Sequence, residues 1–394
     1  MNRRRALALV VVAALTYTGL TFCWFTLPAY LPTIRTELGL SGTEAGLVAG
    51  AVPLTYVPLS ILSGLAVDRV GAGRSLAVGL ALVGVAQVAR AFAPGFPTLL
   101  GATVLLGVGG TAITFGLPKL VSTLFPADEA GLPSSLYLLG ASAGTASAYA
   151  LGRPVLGPML GGWRALFLWS GVAALAYALA WALVARGAVP TAETDGRFDR
   201  DSLGRDLRAV FASRPLRLVV VLGVVYLSVI HGLQGWLPTV LEARGLGSDA
   251  AGRTTSLLVA ANAAGVLAVP ALADRYGARR AAVVACGAAV TLGVSGIVTG
   301  GLGPALLAGV VFAGLGVGGL SPLVRAIPPE LDGIGSRLTG VAVGVVFAGG
   351  EVGGFLGPVV VGALYDATGS YAAGLGLLAA AGVAAVGAGL RLRV

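Results

Sequence analysis

The sequence has little charge and few of the residues on which acid–base and metal sites depend. Only 11% of its 394 residues are charged, and it has one His, two Cys and one lysine, Lys119. A soluble domain carries about 25% charged residues, so a water-soluble protein of this size could not cover its surface. These counts exclude a soluble enzyme, a nucleic-acid binder and a disordered chain.

The same scarcity excludes several kinds of chemistry. A single histidine does not allow an HExxH zinc site, which needs two. Lys119 lies between Pro118 and Leu120, so there is no Gly-Lys-Ser/Thr phosphate-binding loop. We therefore expect neither an enzyme nor an ATP-driven pump, and we expect no cofactor and no bound metal.

What the sequence does have is apolar residues, which make up 56% of the chain and occur in blocks of about 20. Blocks of this length span a bilayer as helices, whereas barrel strands need only about 10 alternating residues. The sequence predicts an all-α membrane protein. Its twelve spans lie near 6–32, 44–67, 75–94, 98–124, 131–159, 164–186, 216–241, 250–272, 280–299, 303–325, 336–364 and 371–390.

A polar stretch, 187–215, divides these spans six and six. It predicts an N-terminal bundle over 1–186, a cytoplasmic linker over 187–215 and a C-terminal bundle over 216–394. With the amino terminus inside, 19 arginines lie in inside segments and five in outside segments. This pattern predicts two cytoplasmic termini in a prokaryotic plasma membrane. It also explains the net charge of +9 without a nucleic-acid partner.

The two halves repeat each other at a nearly constant offset. Adding 206 carries Leu31-Pro32-Thr33 onto Leu237-Pro238-Thr239 and Asp68-Arg69 onto Asp274-Arg275. Later the offset becomes 209, so that Gly140-x3-Gly144 meets Gly349-x3-Gly353. Because each half has an even number of spans, the repeats are parallel. The glycine pairs predict close helix packing, and the Gly- and Pro-rich stretch 152–162 predicts bending.

The repeated loop after the second span of each half resembles the G-x-L-A-D-R-x-G-R-[RK] loop of the major facilitator superfamily. The first copy departs from it at Ala72-Gly73 and the second at Pro270. The resemblance covers essentially the whole chain and implies two pseudo-symmetric six-helix bundles and rocker-switch alternating access. It also implies that the loop residues latch the bundles in an outward-open state, although a simple topogenic turn is the alternative. The latch residues would be Asp68, Arg69, Arg74, Asp274, Arg275 and Arg280.

The end of the fourth span, Gly116–Pro126, is similar to that of cyanate-type and nitrate/nitrite-type porters, although the glycine- and asparagine-rich nitrate signature is missing. Lys119 lies in this stretch and is a candidate contact for an anionic substrate. Its alternative role is to reach the headgroups at the membrane surface.

Three other charged or titratable residues lie well away from the ends of their predicted spans, where charge is costly and often functional. Arg153 shares a helix face with Ser142 and Tyr149, and predicts either substrate contact or a structural pairing. Glu351 is the only acid deep in a span and predicts proton coupling, or else a carboxyl bonded to a neighbouring helix. His231, the only histidine, predicts ligand contact or hydrogen-bonded packing.

Polar and aromatic residues follow one face of the first helix in each half. Offset 206 relates His231 and Gln234 to Phe25 and Pro28. The resemblance implies that helices 1, 4, 7 and 10 line a central cavity. The predicted substrate-binding residues are Tyr17, Thr21, Trp24, Phe25, Lys119, Arg153, His231 and Gln234.

These features predict a monomeric secondary transporter of a small solute in the lipid bilayer, with protons as a candidate coupling ion. The cationic side chains favour a small anion. The alternative is a proton-coupled multidrug efflux antiporter, because Glu351 and the aromatic residues would suit an apolar cation.

Overall fold

The computed structural model describes residues 3–189, 208–328 and 336–392, and these residues form helices and short connections without strands. The first half contains α1 (Arg3–Leu38), α2 (Gly42–Val70), α3 (Ala72–Ala91), α4 (Phe96–Leu124), α5 in three consecutive segments (Gly131–Ser147, Ala148–Leu156 and Gly157–Leu160) and α6 (Trp163–Ala188). The second half contains α7 (Arg214–Ala243), α8 (Ser248–Tyr276), α9 (Arg279–Thr299), α10 (Pro304–Ala326), α11 (Ser336–Thr368) and α12 (Tyr371–Arg391). The predicted all-α fold class is confirmed. Most of the predicted linker lies outside the described residues.

Length and composition suit these helices to a bilayer. Within the described ranges, ten helices are long and apolar enough to cross a membrane, and α2 is an eleventh if its two bent parts form one span. Even the shortest of the ten, α3, has 20 residues. At 1.5 Å per residue it covers about 30 Å, the thickness of the hydrocarbon core.

Helix α5 is interrupted where the sequence predicts bending. Its middle segment, Ala148–Leu156, is a π-helix that contains Pro154. Proline has no N–H and its ring clashes with the carbonyl four residues earlier, so a regular α-helix cannot pass through it unchanged. The wider π turn accommodates the clash. The helix ends at Gly161, whose φ of 95° requires glycine.

Close glycine contacts hold the first half together. Helices α1 and α5 meet at Gly140 and Gly144, where a Cβ on Gly140 would lie 2.9 Å from the Ala14 carbonyl oxygen. The Thr18 and Thr21 hydroxyls each donate across this interface to α5 carbonyls at 2.9 Å. Helix α3 packs on α4 and α6. The predicted packing role of the Gly140-x3-Gly144 pair is confirmed.

The second half repeats these pairings. Helix α11 packs on α7 as α5 packs on α1, and α9 packs on α10 and α12 as α3 packs on α4 and α6. Gly353 of α11 lies against the Val224 carbonyl and the Ser228 hydroxyl of α7. The structure therefore contains the internal repeat that offset 206 predicts.

The chain divides into two compact units. Unit 1 comprises Met1–Leu40 and Ala51–Arg197, and unit 2 comprises Ser41–Gly50 and Phe198–Val394. The start of α2 groups with unit 2 because it packs on α11. There the Asp366 carboxylate accepts hydrogen bonds from the Gly42 and Thr43 N–H groups at 2.6 and 2.7 Å. The predicted domain boundaries remain a prediction.

Candidate functional site

The polar and aromatic residues predicted along one face of α1, here called the α1 stripe, are Tyr17, Thr21, Trp24 and Phe25. Some of them are buried and others are accessible. Thr21 and Phe25 are buried, and the Thr21 hydroxyl donates to the Tyr17 and Ala141 carbonyls at 3.0 and 2.9 Å. Tyr17 and Trp24 are only partly buried. Tyr17 and Trp24 are therefore the stripe residues with side-chain surface available to a substrate, whereas Thr21 and Phe25 pack inside unit 1.

Trp24 belongs to an aromatic cluster built from several helices of unit 1. Its ring stacks on Phe25 with centroids 4.9 Å apart and on Tyr56 of α2 at 6.4 Å. Phe25 in turn lies 6.1 Å from Tyr149 of α5. Tyr17 extends the aromatic surface toward Tyr137 at 6.2 Å. Unit 1 therefore offers flat apolar ring faces beside a few hydroxyl groups.

Two residues at this cluster were not predicted from the sequence, Tyr56 of α2 and its partner Thr114 of α4. The two hydroxyl oxygens lie 2.9 Å apart, which ties the cluster to α4. The repeat carried a usable signal, because offset 206 relates Tyr56 to Asn262, a rare polar residue inside a span of the other half. No signal in the sequence marked Thr114.

Arg90 was also missed, because its place at the end of a span made it look like an outside topogenic arginine. The structure corrects this interpretation: Arg90 is fully buried in the last turn of α3. Its guanidinium donates to the Cys23 carbonyl at 3.0 Å, to the Gln87 side-chain oxygen at 3.2 Å and to the Thr103 hydroxyl at 3.1 Å. Among the described residues Nη2 has no hydrogen-bond partner and the guanidinium contacts no carboxylate. Unit 1 thus contains a buried positive charge that bonds the α1 backbone at Cys23.

Lys119, a predicted substrate contact, forms an ion pair with Asp68, a predicted latch residue. Its Nζ lies 2.6 Å from Oδ1 of Asp68, at the end of α2. The two side chains are 22% and 39% exposed, so the pair is accessible from outside the protein. The predicted substrate contact and the predicted latch carboxylate are therefore neighbours, and each role remains a prediction.

Arg153 lies in the π segment of α5 and is 8% exposed. It donates to the Ala29 carbonyl at 2.7 Å and to the Thr33 hydroxyl at 3.3 Å, and it lies 5.5 Å from the Tyr30 ring centre. These contacts join α5 to α1, as the structural alternative for Arg153 requires. They also place its charge close to the α1 stripe.

Unit 2 carries the remaining candidates on α7 and α11. Gln234 is buried and His231 is half-buried. Glu351 is 6% exposed, and its Oε2 has no hydrogen-bond partner among the described residues. Arg325 of α10 interacts with Glu351 electrostatically. A carboxylate in this place is a buried charge that faces Arg325, and a buried charge is costly unless it is paired or binds a proton.

The two copies of the repeated loop differ in their contacts. Asp68 reaches across to α4, whereas Asp274 pairs with Arg279 of its own loop at 3.0 Å. Arg275 lies 5.7 Å from the ring of Tyr276, and Arg280 donates to the Leu390 carbonyl at 2.7 Å. Arg69 and Arg74 are exposed. The predicted latch role of these residues stays a prediction.

Known transporters resemble this chain over most of its length. It is 28% identical to the uncharacterized transporter YycB of Bacillus subtilis, over 94% of this chain and 92% of the relative. It is 31% identical to the 3-(3-hydroxy-phenyl)propionate transporter of Escherichia coli, over 84% and 79%. The quinolone resistance transporter of Acinetobacter baumannii is 26% identical, over 86% and 82%.

The fold has a close counterpart among solved structures. A bacterial homologue of the human lysosomal transporter Spinster superposes with a TM-score of 0.80 at 17% identity, covering 99% of this chain and 96% of the other. A sequence model of the Major Facilitator Superfamily matches residues 10–337. The chain belongs to the major facilitator superfamily of membrane transporters.

Proposed function

We propose that the protein is a secondary transporter of a small organic anion, working by alternating access between its two units. Membership of the superfamily supports transport of a small solute across the membrane. The arginine distribution supports cytoplasmic termini in a prokaryotic plasma membrane. We further propose that the protein works as a monomer.

The observation that carries the anion preference is the buried charge of Arg90. Its guanidinium bonds to a carbonyl, an amide oxygen and a hydroxyl, and in the described part of the chain it meets no carboxylate. Charges act more strongly in a low-dielectric interior than in water. The buried arginine of unit 1 therefore favours a negative ligand over a positive one in this unit.

The aromatic cluster supports an anion with an apolar or ring-shaped part. Tyr17 and Trp24, which are partly exposed, present ring faces on which a flat substrate can stack. The relative in Escherichia coli is named for a compound with both a phenyl ring and a carboxylate. In this proposal Lys119, Arg153 and His231 contribute to binding the anionic group, and Gln234 donates or accepts a hydrogen bond.

A flux assay tests the substrate class. Proteoliposomes loaded with an unlabelled compound should take up its labelled form by counterflow when the compound is an aromatic or aliphatic carboxylate. Lipophilic cations of similar size should not exchange above the rate of empty liposomes. Exchange of the cations without exchange of any carboxylate would overturn the anion assignment.

Binding to a pair of variants tests Lys119. Lys119→Ala should lose the thermal stabilisation that a transported carboxylate gives the purified protein, because the cation is removed. Asp68→Asn is the matched control: it breaks the same ion pair but keeps the Lys119 charge, so the stabilisation should persist. An equal loss in both variants would assign the pair to structure rather than to substrate binding.

The second candidate function is proton-coupled efflux of an apolar cation. It is favoured by Glu351, the buried acid of unit 2, and by the relative named for quinolone resistance. Under this alternative, a pH gradient should drive extrusion of lipophilic cations from proteoliposomes, and carboxylates should have no effect on that extrusion.

A further inference from the structure

A groove at one end of unit 1 has no part in the proposed transport site. It lies between the start of α3 and the end of α6 and has a volume of about 550 Å³. That volume is within the range of small-ligand sites, about 300–1,000 Å³. The arginine distribution predicts that this end of the unit is cytoplasmic.

Two arginines lie along the groove. Arg74 belongs to the first turn of α3 and Arg186 to the last turn of α6, and both are exposed. In the part of the chain that the structure describes, neither guanidinium has a hydrogen-bond or ion-pair partner, and no acid lines the groove. The nearby loop acid, Asp68, is already paired with Lys119. As far as the described residues show, the groove is therefore positively charged and uncompensated.

The start of α3 adds to this positive charge. The helix begins after Gly71, and no side chain caps its N-terminus. The first N–H groups of a helix carry a partial positive charge that favours anions. They lie beside Arg74, at the same end of the groove.

The rest of the groove is apolar and firmly held. Its lining includes Ala77, Val78 and Ala182. Behind it, the buried Trp181 ring donates from Nε1 to the Gly73 carbonyl at 2.9 Å, which fixes α6 against α3. Val78 is 56% exposed, so the groove continues onto the apolar outer surface of the unit. A ligand for this groove needs an anionic head and apolar chains.

We propose that this groove binds an anionic phospholipid, with the phosphate between Arg74 and Arg186 and the acyl chains along α3 and α6. Basic pockets between transmembrane helices at the cytoplasmic surface suit such headgroups. At the equivalent position of unit 2 the corresponding arginine is already engaged. Arg280, which offset 206 relates to Arg74, donates to the Leu390 carbonyl instead.

Native mass spectrometry and thermal unfolding of the purified full-length protein test the proposal. Dioleoyl phosphatidylglycerol should bind and stabilise the wild type more than dioleoyl phosphatidylcholine does. The Arg74→Ala/Arg186→Ala double variant should bind phosphatidylglycerol about thirty-fold more weakly, since each arginine contributes about fivefold. Arg280→Ala is the matched control and should bind as the wild type does.

Three results would overturn the proposal. The double variant could bind phosphatidylglycerol as tightly as the wild type, or the wild type could show no preference between the two lipids. Equal stabilisation by glycerol 3-phosphate, which has no acyl chains, would show an ion site rather than a lipid site. Unfolding in phosphatidylcholine alone serves to verify that the double variant is folded.

Discussion

Replacing Glu351 with glutamine is expected to abolish substrate accumulation driven by a pH gradient and to leave substrate exchange intact. Glu351 is buried on α11, and its Oε2 has no hydrogen-bond partner among the described residues. A carboxyl group at this buried position changes its charge by binding or releasing a proton. Glutamine has nearly the same shape but carries no exchangeable acid, so it holds the uncharged form permanently.

The size of the effect follows from the energy of the gradient. One pH unit supplies about 1.4 kcal/mol per proton, enough for about tenfold accumulation. Proteoliposomes containing Glu351→Gln should therefore reach equal concentrations inside and outside, where the wild type reaches up to about tenfold. Counterflow exchange, which needs no net proton movement, should stay within about twofold of the wild type.

Two further variants make this result specific. Glu44→Gln makes the same chemical change at a partly exposed residue near the start of α2 and should keep full accumulation. Glu351→Asp keeps a titratable acid and should keep coupling. If Glu351→Gln still accumulates substrate against a gradient, Glu351 does not carry the coupling proton.

Replacing Gly144 with leucine is expected to destabilise the folded protein strongly. A Cβ at this position would overlap the Thr18 carbonyl and the Thr21 hydroxyl of α1. Overpacking a core typically costs about 1–3 kcal/mol. Here the obstacle includes backbone, and separating the helices would also weaken the hydrogen bonds from Thr18 and Thr21 to α5. We expect a loss of about 3 kcal/mol, a substantial part of a typical folding free energy of about 5–15 kcal/mol.

The temperature at which detergent-solubilised protein loses its monodisperse chromatographic peak measures this effect. Gly353→Leu should behave like Gly144→Leu, because its Cβ would meet α7 in the same way. Gly101→Leu is the matched control, since that glycine of α4 is exposed and a Cβ there meets nothing within 4 Å. The close-packing account fails if Gly144→Leu and Gly101→Leu lose their peaks at the same temperature.

Much of the fold could be predicted because the signals are local and repeated. The eighth span, predicted at 250–272, corresponds to α8 at Ser248–Tyr276, and offset 206 carries the bounds of α2 onto those of α8. Helix pairing follows from the same repeat. Boundaries were less accurate where helices extend beyond the apolar core, as α1 does to Leu38.

The contacts of the candidate site could not be predicted in the same way. Asp68 and Lys119 are 51 positions apart in sequence, and only the packing of α2 on α4 brings them to 2.6 Å. Arg90 was misinterpreted because charge itself serves to mark the end of a span. A buried arginine near the end of a span fits the same sequence pattern as an arginine exposed at the membrane surface. Only the groups that surround the side chain in the structure distinguish the two.

The π segment of α5 has a consequence for how this helix can change shape. In a regular α-helix each residue advances the rotation about the axis by about 100°. A π bulge contains one extra residue, so side chains on its two sides differ in angular position from those of an uninterrupted helix. Moving the bulge by one residue exchanges backbone hydrogen bonds without breaking the helix. A residue that the bulge passes, such as Arg153, thereby turns relative to the two flanking parts of α5, which keep their mutual phase. Local rotation within one helix, rather than bending, is the motion that this segment permits.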